Sequence, residues 1–129
     1  MASQKLFVMK PRVKSDLDPK KYCIPGESPE EFAALQAEYF DRFTPYDISE
    51  QFEVDMMILN EWNMRRSLRI EAVLRGRPES EQMRTALMNL EQYRTQLNKS
   101  SKLALRALNR WQRERRKEFA ALKCQTLVM

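Results

Sequence analysis

Ala72-Val73-Leu74-Arg75-Gly76-Arg77-Pro78-Glu79-Ser80 is the stretch from which the architecture follows. Gly76 shares the chain of 129 residues with only one other glycine, Gly26. A glycine just past a row of apolar residues takes the left-handed conformation that closes a helix, and a proline two positions later resists continuation. One helix is therefore expected to stop here and another to start at Pro78 or Ser80. A connection of about two or three residues forces the two to lie antiparallel.

Upstream of this turn, residues 47–75 carry an apolar stripe at helical spacing: Phe52, Met56, Leu59, Trp62, Ile70 and Val73, broken by Arg66. Asp47 or Thr44 is the expected cap. Roughly 29 residues make a rod of ~43 Å. Downstream, the steps alternate four and three through Met83, Leu87, Leu90, Arg94, Leu97, Ser101, Ala104, Leu108, Trp111 and Arg115. That is the repeat of a coiled-coil seam. It predicts a helix from about Pro78 or Ser80 to about Leu122 (about 78–122), roughly 42 residues and ~63 Å when counted from near Ser80. Asn98-Lys99-Ser100-Ser101 is its weakest patch and the expected bend. The longer rod should outrun its partner from about Ala107 onward.

Further upstream, Ser28-Pro29-Glu30-Glu31 offers a serine cap, a proline at the first helical position and acids at the positive end of the helix dipole. A helix over 29–43 is expected, with Phe32, Leu35, Tyr39 and Phe43 on one face and Thr44-Pro45 ending it. Residues 1–27, punctuated by Pro11, Pro19 and Pro25, read as an irregular basic arm, with a short extended piece at Leu6 to Val8 and a docking point near Tyr22, Cys23 and Ile24. The fold class is thus all-α: a long antiparallel helical hairpin (about 47–75 and 78–122) with a shorter N-terminal helix (about 29–43) packed on it. The domain reading is an arm over 1–27, a helical domain over 28–123 and a tail over 124–129.

Charge is unevenly placed. Residues 1–25 carry six cations and two acids, 26–63 ten acids and Arg42, 64–76 four arginines and Glu71, 77–98 three of each sign, and 99–129 nine cations and two acids. The balance is 4 − 9 + 3 + 0 + 7, the net +5 of the whole chain. Such asymmetry marks either a polyanion-binding surface or two ends that neutralise each other.

Much chemistry is absent. The chain has no histidine, hence no Ser-His or Cys-His pair and none of the commonest nitrogen ligand for metals. Two distant glycines cannot make a phosphate loop. Cys23 and Cys124 fit no metal spacing and read as reduced thiols. No apolar run suits a signal peptide or a membrane span. The expectation is a soluble, cytoplasmic protein without catalytic residues, cofactor or metal.

Three features carry what remains. The run Arg110-Trp111-Gln112-Arg113-Glu114-Arg115-Arg116-Lys117 places cations on a helix around an aromatic ring. Arg106, Arg110, Arg113, Arg116 and Lys117 are candidate phosphate contacts, or else a solvated terminal turn. Trp111 is expected in the seam. Arg66 calls for an acid, with Glu91 or Asp41 the candidates. The methionines, including Met56, Met57 and Met88, suit gap-filling in a core.

The run Ile24-Pro25-Gly26-Glu27-Ser28-Pro29-Glu30-Glu31-Phe32, the segment Glu50 to Leu74 centred on Trp62, Arg65, Arg66 and Glu71, Leu90-Glu91-Gln92-Tyr93-Arg94 and the final Leu105 to Arg116 resemble a family of short, uncharacterised bacterial helical proteins. The shared pattern is a PGE-x-x-x-E(F/Y) opening, a W-x-x-RR-x-x-R-x-E middle helix and a long helix ending in basic residues. It covers roughly residues 24–117. Members commonly carry an N-terminal Asn…Lys-His-Gly motif, which this chain lacks. The resemblance implies the helical fold and says little of function. Two binding functions follow from the residues themselves: nucleic-acid association through the basic C-terminal helix and the N-terminal arm, or coiled-coil self-association, as a homodimer or a scaffold for a protein partner, without nucleic acid.

Overall fold

The computed structural model describes residues 13–128. The described chain is α-helical, with no strand among the described residues: α1 Pro19–Tyr22, α2 Pro29–Phe43, α3 Ile48–Arg75 and α4 Glu81–Val128. The extended piece expected at Leu6 to Val8 lies outside the described residues.

Each start is capped as the local sequence dictates. Ser28 Oγ accepts from the Glu31 amide at 3.3 Å, Asp47 Oδ1 from the Glu50 amide at 2.9 Å, and Ser80 Oγ from the Met83 amide at 3.1 Å. Each satisfies a donor that the first turn would otherwise leave open. The left-handed closure belongs to Thr44, at φ 41°, and not to Gly76, which sits at φ −80° and ψ −4°. Gly76 stays right-handed because its amide still reaches back to the Ala72 and Val73 carbonyls. The connection is residues 76–80, longer than expected, and still closes an antiparallel hairpin of α3 on α4.

Three polar ties fix the register of that hairpin. Arg94 Nη1 donates to Glu71 at 2.8 Å, Asn60 Nδ2 to Ser100 Oγ at 3.0 Å, and Arg115 reaches Glu50 at 3.0 and 3.1 Å. Slipping the helices by one turn would leave buried polar groups unmatched, at about 1–3 kcal/mol each. The Asn98–Ser101 patch does not break α4, which runs unbroken through it; Ser100 accepts a bond from across the seam.

The core gathers Phe32, Leu35 and Phe40 of α2, Val54, Met57, Ile58 and Trp62 of α3, and Ala104 and Leu108 of α4. The α3 stripe read from sequence holds at Met56, Leu59 and Trp62 and fails toward its two ends. Phe52 is 60% exposed, and Ile70 and Val73 are also exposed. The buried row is Val54, Ile58 and Trp62, because α3 is packed from two sides, by α2 and by α4. Of the methionines singled out, Met57 is buried, Met56 half-buried and Met88 exposed. The α4 seam holds from Met83 to Leu108 and again at Arg115. Trp111 departs from it at 44% exposed.

The described part of the arm, residues 13–27, belongs to the fold. Ser15 Oγ and the Asp16 amide donate to Asp55 at 2.6 and 2.9 Å, Gln36 Nε2 donates to the Leu17 carbonyl, and Trp62 Nε1 to the Tyr22 carbonyl at 3.0 Å. Tyr22 stacks on Phe32, whose ring meets Trp62 edge-on. Tyr22 and Cys23 dock while Ile24 stays exposed. The expected tail is helix as far as Val128. The overhang of α4 is shorter than expected: Gln112 Nε2 donates to the Phe43 carbonyl at 2.8 Å, Arg115 is tied to Glu50, and Phe119 meets Tyr46 edge-on. Phe43 and Tyr46, before α3, and Glu50 in its first turn thus give α4 partners at Gln112, Arg115 and Phe119.

Candidate nucleic-acid interface

From Gln92 to Arg113 the chain contains no acid. Within and just beyond that run, Lys102, Arg106, Arg110, Arg113 and Lys117 follow one another at steps of four, four, three and four residues. On a helix that spacing places them on one face, about 22 Å long at 1.5 Å per residue. All five are exposed. Arg106 stands about 200° of helix rotation from both Ala104 and Leu108, the buried seam residues. Arg106 therefore faces away from the seam, with Arg110 at the edge of the row nearest Glu53 of α3.

Its side chains are little engaged. Among the described residues Lys102, Arg106, Arg110 and Arg113 enter no salt bridge, and Lys117 makes one loose contact with Glu114 at 3.9 Å. Arg110 lies close enough to Glu53 of α3 to pull that carboxyl down, yet burial dominates and holds Glu53 above its ordinary range. Arg116 is about 100° round from Lys117, and its Nε donates to the Gln112 carbonyl at 3.3 Å. Four of the five expected contacts, Arg106, Arg110, Arg113 and Lys117, are thus brought together, and Arg116 flanks them. Lys102 was missed from sequence, where the dense run near Trp111 drew attention; the acid-free stretch was the available signal. Lys99 continues the row by spacing but also lines a groove beside α3.

Arg115 sits inside this basic run and does not belong to its surface. Its guanidinium forks onto Glu50, which is 0% exposed, and lies 4.7 Å from the Tyr46 ring centroid. The Tyr46 amide donates to the same carboxylate at 3.3 Å. Trp111 is exposed and follows Ala107 and Leu103 at four-residue steps along α4.

The second arginine cluster is structural. The acid that answers Arg66 is Glu27, not Glu91 or Asp41. Arg66 Nε and Nη2 donate to its two oxygens at 3.0 and 2.7 Å, Arg69 reaches the same carboxylate, and Arg66 Nη2 also donates to the Tyr22 carbonyl at 2.7 Å. The Arg66 guanidinium bonded to Glu27 holds that carboxyl down at about 2. Glu27 wins this contact because the turn at Ile24 to Glu27, where Gly26 takes φ 92°, folds the arm over α3. The arm's cations do not extend the α4 row: Lys14, Lys20 and Lys21 are exposed on a segment whose hydrogen bonds go to α2 and α3. Lys5, Lys10 and Arg12 lie outside the described residues.

Among the described residues no three His, Cys, Asp or Glu side chains converge as a metal site, and no helix is long and apolar enough to cross a membrane. Cys23 and Cys124 are free thiols, and burial pushes the Cys23 thiol up. No known protein family, curated protein or solved structure matches this chain.

Proposed function

We propose that this chain is a non-enzymatic nucleic-acid-binding protein that grips the phosphate backbone through the cationic face of α4. The observation that carries the reading is the exposed row Lys102, Arg106, Arg110, Arg113 and Lys117 on the side of α4 opposite its seam. Neutralising phosphates releases condensed counterions, which makes such binding favourable without any base contact. A straight helix suits the major groove of duplex DNA in width. The five cations of the row are assigned to phosphates, contacts that position a duplex without reading its bases. Arg116 flanks the row and adds to its field. A cytoplasmic setting with both cysteines reduced belongs to the same reading, as does kinship with the short bacterial helical proteins that share its motifs.

The test is fluorescence anisotropy with labelled duplex DNA and duplex RNA across a salt series. Binding at low salt with a steep slope of log affinity against log salt supports the reading, as does its collapse in Arg106→Glu/Arg113→Glu. Absence of binding to both duplexes at low salt overturns it and favours the alternative, a protein scaffold without nucleic acid.

A further inference from the structure

The hairpin has one flank clothed by α2 and the arm, and another left bare. On the bare flank an open groove runs between α3 and α4, lined by Phe52, Met56, Leu103 and Ala107 with Glu53 and Lys99. Phe52 is 60% exposed and Leu103 62%. The antiparallel register pairs Phe52 with Ala107 and Met56 with Leu103 as successive rungs. By four-residue spacing, Ile48 at 76% exposed and Trp111 continue the two rows beyond the groove's lining. Large apolar side chains in a continuous exposed ladder mark a contact surface.

The charges say what covers it. Glu53 lies level with Ala107 and Arg110, and Lys99 lies two turns earlier on α4, about 12 Å along the groove. Among the described residues neither enters a salt bridge. One acid, with Arg110 of α4 near it, and one base stand about 12 Å apart along the groove, with Leu103 midway between them. That arrangement is self-complementary, as an interface around a two-fold axis requires. We infer that the groove binds a second copy of this chain, the two hairpins closing into a four-helix arrangement about an axis across the helices at the level of Leu103. The axis brings Glu53 of one copy level with Lys99 of the partner subunit, and the reverse. The apolar rungs meet in the centre, and the cationic rows of the two α4 helices remain at the rim.

Sedimentation equilibrium of the full chain without nucleic acid tests this. The wild type is expected at dimer mass, and Leu103→Asp at monomer mass with its helical circular dichroism retained. Glu53→Lys and Lys99→Glu each place like charges together twice per dimer, so each is expected to weaken association at least about tenfold. Mixed in equal amounts, the two variants restore both opposite-charge contacts, and dimer should reappear. A monomeric wild type at high concentration, a dimer indifferent to Leu103→Asp, or a mixture no tighter than its components overturns the inference. Capture of a separate helical protein by a monomeric chain would do the same.

Discussion

The Arg115 guanidinium and the Glu50 carboxylate, 65 residues apart in sequence, form a two-pronged ion pair at 3.0 and 3.1 Å in which the acid is wholly shielded from solvent. It ties the start of α3 to the far part of α4, where few apolar contacts remain. Removing the arginine leaves a buried carboxylate without its counter-charge, a loss typically worth about 3–5 kcal/mol. Arg115→Ala is therefore expected to destabilise the fold by that order. The paired replacement Glu50→Leu/Arg115→Met should recover most of the loss, because two apolar groups need no partner. Urea unfolding of the three proteins checks this; equal loss in the single and double variants would contradict it.

Acid should loosen the arm before the hairpin. The Glu27 carboxyl is depressed from its ordinary value to about 2, first by its bond from Arg66. A depressed carboxyl contributes stability that is present above its unfolded value and lost as pH falls toward the folded one. The contribution, on the order of 2 kcal/mol, is expected to vanish between about pH 5 and 2. Asp55 acts in the opposite sense: burial raises its carboxyl, so protonation favours the folded state as pH falls. Stability of wild type and Glu27→Gln followed from pH 7 to pH 2 should converge at the acid end, with the variant the less stable at pH 7.

Trp62 joins arm, α2 and α3 through one side chain. Trp62→Ala should cost about 3–5 kcal/mol through the cavity it leaves. Trp62→Phe keeps most of the packing against Phe32 and loses only the indole N–H; the Tyr22 carbonyl still has its bond from Arg66. A cost of about 1–2 kcal/mol is expected. Thermal unfolding gives the order. Fluorescence separates the two tryptophans, since Trp111 is exposed and Trp62 buried.

Thr44 is a β-branched residue held at φ 41°. For an L-residue that conformation costs roughly 1–2 kcal/mol, which glycine does not incur. Glycine also gains freedom in the unfolded chain, so Thr44→Gly should raise stability by only about 0.5–1 kcal/mol. Denaturant midpoints would show it, and a lowered midpoint would refute the strain.

The salt dependence of duplex binding should scale with the α4 row. Arg106→Gln and Arg113→Gln are each expected to lower the salt slope by about 1, as one phosphate contact is lost. Arg77→Gln, in the hairpin connection, should leave the slope unchanged. Anisotropy titrations across salt for the three variants distinguish a local contact surface from a general effect of net charge.

Local rules reached far in this protein. Ser28, Asp47 and Ser80 each cap a helix because side-chain oxygens satisfy amides within their own first turn, which neighbouring residues alone decide. The four-three repeat of α4 and the short connection after Arg75 were enough for an antiparallel hairpin, since an amphipathic rod must bury its one apolar stripe. Periodicity held at Trp62 and failed toward the ends of α3, where two stripes compete. Phe52 and Val54 are equally good apolar residues, and only the arrival of α2 on one side made Val54 the buried one and left Phe52 bare. The partner of Arg66 also waited on the tertiary structure. An ion pair depends on distance in space, and the fold of the arm brought Glu27 there from a segment that sequence alone left irregular. The same holds for Arg115: in the sequence it is one of several cations in a run, while the register of the hairpin buries it against Glu50 and leaves its neighbours facing water. Sequence by itself determined where α2 and α3 run and roughly where α4 starts, because the forces that start and stop a helix act within one turn; it left α1, Pro19–Tyr22, inside an irregular arm and ended α4 six residues before Val128. Which faces are hidden was decided by long-range packing alone, because burial is a property of what lies opposite.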